Sequence, residues 1–142
     1  MKTRSAVVDA GPLVAALDQR DAAHRWVTEQ LKSLTPPLLV CEPVLTEVAY
    51  LVRRQRGQTD VLLGLVSSGA IRVAWSMDGE VDPVRGLMRK YADQPMSLAD
   101  ACVVRMAELF DDHAVFTLDA DFTMYRTSRN QPLSLITPDQ SS

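Results

Sequence analysis

The sequence predicts a single α/β domain with a central, mainly parallel sheet of four to five strands. Three observations support this prediction. Short apolar runs rich in β-branched residues alternate along the chain with longer segments of helical period. The chain has 142 residues, which is the length of one domain. Apolar residues make up 46% of it and charged residues 23%, a composition typical of a globular domain.

The first half of the chain contains two of the expected strands, each followed by helical segments. Pro12 suits the first turn of a short helix, because proline lacks the N–H that this turn leaves unpaired. Pro36-Pro37, Gly57 and Gly69 then interrupt the chain where helices or strands should end. We therefore expect strands at residues 5–8 and 38–41, and helices from residue 12, at 22–34, at 42–55 and at 59–66.

The second half continues the alternation of strands and helices. Ser97, with Asp100 three residues later, matches the capping-box pattern that begins a helix. We expect strands at residues 71–75 and 114–116 with a further strand at the sheet edge, 133–136, and helices at 83–91 and 97–109. The domain then spans residues 1–136, followed by a tail at 137–142. Three large aromatic residues could stack on bases, but buried aromatics are commoner, so we assign them to the core: Trp26, Tyr50 and Trp75.

Charge and cysteine content restrict the function. The chain has 15 basic and 18 acidic residues, which argues against a nucleic-acid binder held by charge alone. Cys41 and Cys102 lie too far apart for a zinc site of paired thiols, and we expect both to be buried free thiols. Asp9 ends the first apolar run too early for a secretory signal, and residues 61–71 are too short to span a bilayer. We therefore expect a cytoplasmic protein with no membrane segment.

Two acidic residues follow expected strands. Asp9 ends the first strand, and Asp119 follows the strand at residues 114–116. In an open α/β sheet, ligands bind at the carboxyl ends of the strands. Each acid could equally form a turn or cap a helix.

Two further acids lie in helices beside apolar residues. Glu47 has Val44 and Leu51 at helical spacing, although it could also reach solvent or pair with Arg54. Asp100 begins an apolar stripe, although it could serve only as the capping acid described above.

These four acids are more informative as a set than singly. Strand ends and the starts of the following helices meet at one edge of a right-handed α/β sheet. Carboxylates gathered there repel one another and raise each other's pKa. A hard cation such as Mg²⁺ or Mn²⁺ relieves this repulsion, and the lack of His and Cys at these positions argues against zinc, copper or iron.

Four motifs around these acids resemble the acidic motifs of PIN-domain nucleases. Their order and the chain length resemble the small VapC-type toxins of bacterial type II toxin–antitoxin modules, and the resemblance extends from Val7 to about Ile136. The motifs are Val7-Val8-Asp9-Ala10-Gly11-Pro12, Leu45-Thr46-Glu47-Val48, Ser97-Leu98-Ala99-Asp100-Ala101 and Thr117-Leu118-Asp119-Ala120-Asp121-Phe122.

The resemblance implies a PIN-like three-layer α/β/α domain and a Mg²⁺- or Mn²⁺-dependent endoribonuclease. Under it, the catalytic residues are Asp9, Glu47, Asp100 and Asp119, and the metal ligands are Asp9, Asp100, Asp119 and Asp121. Thr117 is then a polar neighbour of the site, whereas Ala10 stands where many members of the family have Thr or Ser. The family's habits also imply an RNA substrate, a homodimer and a small antitoxin partner.

Basic residues near the motifs are candidates for contacts with RNA phosphates. Arg126 and Arg129 follow the last motif, and Arg53 lies at the end of the helix that carries Glu47, where it could equally be a solvated helix end. Residues 61–65, with apolar residues of the preceding helix, could form a groove for a partner helix or a dimer surface.

Two other functions compete with the nuclease. A magnesium-dependent phosphatase or receiver-like domain would need a second acid close to Asp9 and a lysine at a strand end, and neither is present. A catalytically degenerate PIN domain could serve as an RNA- or partner-binding module, although such a module would have no reason to keep four mutually repelling acids.

Overall fold

The computed structural model describes residues 4–138 and contains five strands and six α-helices in that part of the chain. Their order and bounds are β1 (Ala6–Val8), α1 (Ala10–Leu17), α2 (His24–Leu31), β2 (Leu38–Val40), α3 (Glu42–Leu51), α4 (Gln58–Ser68), β3 (Ile71–Val73), α5 (Val81–Lys90), α6 (Leu98–Leu109), β4 (Ala114–Phe116), a 3₁₀ turn (Ala120–Thr123) and β5 (Leu135–Ile136).

The strands form one parallel sheet in the order β3-β2-β1-β4-β5. β1 lies at its centre, with Val7 opposite Leu39 on one side and Val115 on the other. The expected α/β class is confirmed, and β5 occupies the expected edge position. α1 contacts α2, α3 and α4, α5 contacts α6, and α3 also packs against α6. Six helices around one central parallel sheet match the expected α/β/α architecture.

Several helices differ in length from the expectation. α1 begins at Ala10 rather than Pro12, because the first turn tolerates proline at any position that needs no N–H partner. α2 and α3 are shorter than expected, and the chain after Leu51 forms turns up to Gly57. Gly57 has a φ of 82°, a left-handed conformation that favours glycine, and α4 begins directly after it.

The strand order determines where a site can form. The chain passes from β1 to β2 and β3 in one direction and then returns to place β4 on the other side of β1. Such a reversal opens a crevice at the carboxyl ends of the two strands beside it, which here are β1 and β4. Asp9 follows β1, and its N–H donates to the carbonyl of Phe116 at 2.9 Å, which holds it beside β4.

The core lies around the central strands and α6. All residues of β1 and β4 are buried, and so are most residues of α6. Trp75 is buried, and the half-buried Trp26 packs against Phe116 at a ring distance of 5.8 Å. The assignment of Tyr50 to the core is wrong, because its side chain lies at the solvent-facing end of α3 and is 60% exposed.

The cysteines and the chain end complete the comparison. Cys41 and Cys102 are free and buried, as expected. Within residues 4–138, no helix has the length and apolar character needed to cross a membrane. Of the expected tail at 137–142, residues 139–142 lie outside the described part of the chain.

Candidate active site

Asp9 and Asp119 are joined through one buried hydroxyl group. Thr117 Oγ1 donates to Asp9 Oδ2 at 2.7 Å and accepts the N–H of Asp119 at 3.0 Å. Thr117 is fully buried and Asp9 is 6% exposed, so this connection lies below the protein surface. Asp9 occupies the N-cap position of α1 without making a side-chain capping bond. Its carboxylate therefore faces Thr117 and β4 instead of closing the start of a helix.

Asp100 has the capping role that its pattern suggested, and it is also buried. Its N–H donates to Ser97 Oγ at 3.0 Å, and its Oδ2 accepts the N–H of Ser97 at 3.1 Å. The same Oδ2 accepts a hydrogen bond from the Tyr125 hydroxyl at 3.4 Å. These contacts hold the carboxylate in one orientation, at the edge of the sheet where α6 begins.

Glu47 lies in the middle of α3 and reaches the same region from solvent. Its side chain is exposed, and it makes no ion pair with any residue in the described part of the chain. The alternative pairing with Arg54 is therefore absent. Glu47 is close enough to Asp100 and Asp119 for their charges to affect it.

The pKa values show that the four acids share one electrostatic field. The pKa of Asp9 is raised to about 6, chiefly by burial and to a smaller extent by the charges of Asp100 and Glu47. The hydrogen bond from Thr117 opposes this rise. Burial also raises the pKa of Asp100, with Asp119 adding to the effect and the Ser97 hydrogen bonds opposing it. The pKa of Glu47 is raised by partial burial and then by Asp100 and Asp119. Carboxylates from four separate segments therefore repel one another at one edge of the sheet.

The donor set suits a hard divalent cation. Carboxylate oxygens are the ligands that Mg²⁺ and Mn²⁺ prefer, and a bound cation would relieve the repulsion described above. Within residues 4–138, no three His, Cys, Asp or Glu side chains lie close enough together to hold a metal ion in their present positions. Mg²⁺ usually keeps several waters and binds one or two carboxylates directly, so the other acids could act through those waters.

Asp121 lies beside the cluster. Its N–H donates to Asp119 Oδ1 at 2.9 Å, so Asp119 caps the short 3₁₀ turn as the sequence had suggested. The charge of Asp121 also acts on the nearby hydroxyl of Tyr125. Asp121 therefore flanks the other acids, and its role as a metal ligand stays a prediction.

The three candidate arginines lie in different surroundings. Arg53 places its guanidinium 3.8 Å from the centre of the Tyr50 ring, and Arg126 donates to the backbone carbonyls of Thr123 and Tyr125. Both lie on segments that adjoin the acids.

Arg129 lies elsewhere on the domain. It is exposed and borders a cavity shared with Asp111 and His113, which precede β4. The acids lie at the opposite end of that strand. A phosphate contact by Arg129 stays a prediction that its position does not favour.

The position of Tyr125 in the site could not be anticipated from the motifs. Tyr125 is fully buried against Tyr91 and Phe122, with ring distances of 5.1 Å to each, and its hydroxyl reaches Asp100. Burial, together with the neighbouring acids, raises its pKa, so Tyr125 stays a hydrogen-bond donor. Tyr125 lies six residues after Asp119 and belongs to none of the four acidic motifs.

Ala10 is a departure from the PIN motif that the structure helps to explain. Ala10 is buried, and in its place Thr117 supplies a hydroxyl to Asp9 from the neighbouring strand end. Next to it, a Cβ on Gly11 would lie 3.2 Å from the Leu118 side chain. The start of α1 therefore packs closely against the segment that carries Asp119.

Comparison with known proteins agrees with this geometry. The PIN domain family matches residues 6–128. The chain is 30% identical over 115 residues to Ribonuclease VapC26 of Mycobacterium tuberculosis (strain ATCC 25618 / H37Rv), a match that covers 80% of this chain and 85% of the relative.

A solved structure has the same fold. The crystal structure of M. tuberculosis VapC20, a toxin that cleaves the sarcin–ricin loop, superposes with a TM-score of 0.74 at 20% identity, over 84% of this chain and 94% of VapC20. The resemblance inferred from the four acidic motifs is therefore confirmed, and this chain belongs to the PIN domain family.

Proposed function

We propose that this protein is a Mg²⁺- or Mn²⁺-dependent endoribonuclease that hydrolyses phosphodiester bonds in RNA. Its similarity to VapC ribonucleases supports nuclease activity. The observation that carries the proposal is the group of Asp9, Glu47, Asp100 and Asp119 at one sheet edge, where burial and the neighbouring charges raise the pKa values of Asp9, Glu47 and Asp100. A domain that only binds RNA would gain stability by losing these charges, so the degenerate module is disfavoured.

Each residue has a separate task in this proposal. Asp9, Asp100, Asp119 and Asp121 would hold the cation, one or two of them directly and the others through its bound waters. Thr117 orients Asp9, while Ser97 and Tyr125 fix the orientation of Asp100. When bound, the cation supplies charge neutralisation and Lewis acidity for phosphodiester hydrolysis.

Glu47 differs from the other acids because it is exposed to solvent. Its raised pKa makes it a better proton acceptor than an ordinary surface glutamate, and it faces Asp100 and Asp119. In this proposal, Glu47 accepts the proton of the attacking water. The products would be a 5′-phosphate and a 3′-hydroxyl, which is the expectation for the family.

The test is cleavage of total RNA by the wild type and by two isosteric variants. Asp100→Asn removes one charge from the cluster, and Asp111→Asn changes an exposed aspartate before β4, at the other end of the sheet. We expect the wild type and Asp111→Asn to cleave RNA with Mg²⁺ and to stop with EDTA. Asp100→Asn should lose at least about a hundredfold in rate, a typical cost of removing one electrostatic group from an active site. Equal activity of all three proteins would refute the assignment.

We also propose that the activity belongs to a toxin that works in the cytoplasm as a homodimer and is controlled by a small antitoxin. Leu51 of α3 and Val61 and Leu63 of α4 are exposed, whereas Val52 and Leu62 are buried beneath them. Exposed apolar side chains on two adjacent helices are typical of a surface that binds a partner. If a short reading frame next to the gene encodes the antitoxin, Leu63→Glu should prevent the co-purification of its product. If co-purification is unchanged, the partner binds another surface of the domain.

A further inference from the structure

We propose that a cavity beside Glu47 binds one unpaired nucleobase of the RNA next to the bond that is cleaved. This inference rests on the proposed function and names a part of the substrate that the acids themselves cannot recognise. The cavity has a volume of about 830 Å³ and lies between α3, the segment after β3 and the start of α6. Pockets for small ligands have about 300–1,000 Å³, so it is large enough for a base and its sugar.

The cavity continues directly from the acid cluster. Glu47 lines it, and so does Ser97, whose hydroxyl and N–H bind Asp100. A nucleotide whose phosphate lies at the acids would therefore place its neighbouring base at this cavity.

The walls of the cavity suit the flat faces of a base. Pro43, Trp75 and Leu98 contribute apolar surface, and Trp75 is 8% exposed. The Trp75 indole N–H is buried and has no hydrogen-bond partner within residues 4–138. Trp75 therefore meets the cavity with its apolar ring surface.

Tyr50 supplies a stacking surface at the rim. Its ring is 60% exposed, and the Arg53 guanidinium covers one face at 3.8 Å from the ring centre. A base can therefore stack on the opposite face, and the cation at Arg53 stays close enough to attract the RNA backbone. Aromatic rings with an adjacent arginine are the usual platform for unpaired bases.

The polar rim selects a base over an anion. The exposed carboxylates of Glu42 and Asp78 line the cavity together with the hydroxyl of Ser76. Carboxylates repel phosphate, but they accept hydrogen bonds from amino and imino groups. Guanine offers two such donors on one edge, whereas uracil offers one. We therefore expect the cavity to prefer guanine to uracil.

Tryptophan fluorescence tests base binding without any catalytic step. The chain has two tryptophans, so Trp26→Phe leaves Trp75 as the only one. We expect guanosine to change this emission saturably and at lower concentration than uridine. Should Trp26→Phe fold poorly, Trp75→Phe provides the converse measurement, in which the guanosine response of the wild type should disappear.

Variants of Tyr50 test the stacking. In the Trp26→Phe background, Tyr50→Ala should weaken guanosine binding about tenfold or more, as expected for the loss of one base–aromatic stack, and Tyr50→Phe should retain it. Leu109→Ala is the matched control, because Leu109 lies at the far end of α6, is 45% exposed and does not line the cavity. Absence of a saturable response, or equal effects of Tyr50→Ala and Leu109→Ala, would overturn the proposal.

Cleavage of an RNA pool with randomised sequence separates this proposal from the proposed function. We expect Tyr50→Ala to flatten the base preference at one position beside the cut, with Leu109→Ala unchanged. RNA cleavage without guanosine binding and with a preference unaffected by Tyr50→Ala would overturn the base site alone, and an antitoxin side chain or a second copy would then be the occupant. Guanosine binding by a protein that cleaves no RNA would support the base site and overturn the nuclease.

Discussion

Replacing Asp9 by asparagine should change how the stability of this protein depends on pH. The substitution keeps the size of the side chain and an oxygen that can accept the Thr117 hydrogen bond, but it removes the negative charge. In the wild type, burial is the main cause of the rise in the pKa of Asp9, from an ordinary 3.8 to about 6. The folded protein therefore holds a proton on Asp9 between about pH 4 and pH 6 that the unfolded chain has lost.

The size of the effect follows from this shift. When the folded state binds more protons than the unfolded state, stability falls as the pH rises, and the loss is complete above the folded pKa. About two pKa units at about 1.4 kcal/mol each correspond to about 3 kcal/mol. Most of this, about 2 kcal/mol, develops between about pH 4 and pH 7.5. The asparagine variant has no proton to lose at this position.

Urea unfolding with EDTA at about pH 4 and about pH 7.5 measures the effect. We expect the free energy of unfolding of Asp9→Asn, relative to the wild type, to increase by about 2 kcal/mol from the lower to the higher pH. Asp111→Asn, the exposed control used for RNA cleavage, shows how much any such substitution contributes. If the difference in unfolding free energy between Asp9→Asn and the wild type stays constant or shrinks between the two pH values, the surroundings do not raise the pKa of Asp9. The electrostatic explanation would then be wrong.

Three further predictions concern the same site. Thr117→Val removes the donor to Asp9 and the acceptor for the Asp119 N–H. The free energy of unfolding in urea should fall by about 1–3 kcal/mol. A fall below about 0.5 kcal/mol would contradict the buried connection. Ser97→Ala removes the helix cap of α6 and should lower the free energy of unfolding by about 1 kcal/mol. Ser97→Asp, whose side chain can also cap a helix, should lower it less, and equal losses would contradict the capping role. Millimolar Mg²⁺ should raise the Tm of the wild type at about pH 7.5 but not that of the double variant Asp9→Asn/Asp119→Asn, and a similar rise in both would indicate cation binding elsewhere.

The sequence was sufficient to predict the fold class and to expect the four acids at one edge of the sheet. Strands such as Ala114–Phe116 are short, apolar and bounded by turns, so their positions follow from local pattern. Asp9, Asp100 and Asp119 could be placed because their segments begin or end at a strand or a helix, and parallel strands bring such points to one edge. Helix ends were less accurate, since α3 ends at Leu51 although nothing in residues 52–55 prohibits a helix.

The contacts between distant segments could not be inferred from local pattern. Thr117 was recognised as a neighbour of the site, but its bond to Asp9 joins residues 108 positions apart and depends on the pairing of β1 with β4. Buried aromatic residues are the commoner case, which favoured the core for Tyr50, yet its place on α3 puts it at the rim of a cavity. Both properties depend on tertiary packing, which periodicity alone does not determine.

Mn²⁺ binding measured by electron paramagnetic resonance tests most directly whether the four acids form one cation site. The account predicts saturable binding to the wild type and to Asp111→Asn, with a large loss of affinity in Asp100→Asn. If the wild type binds no Mn²⁺ at millimolar concentration, or if Asp100→Asn binds it as tightly as the wild type does, the acids do not act as a metal centre.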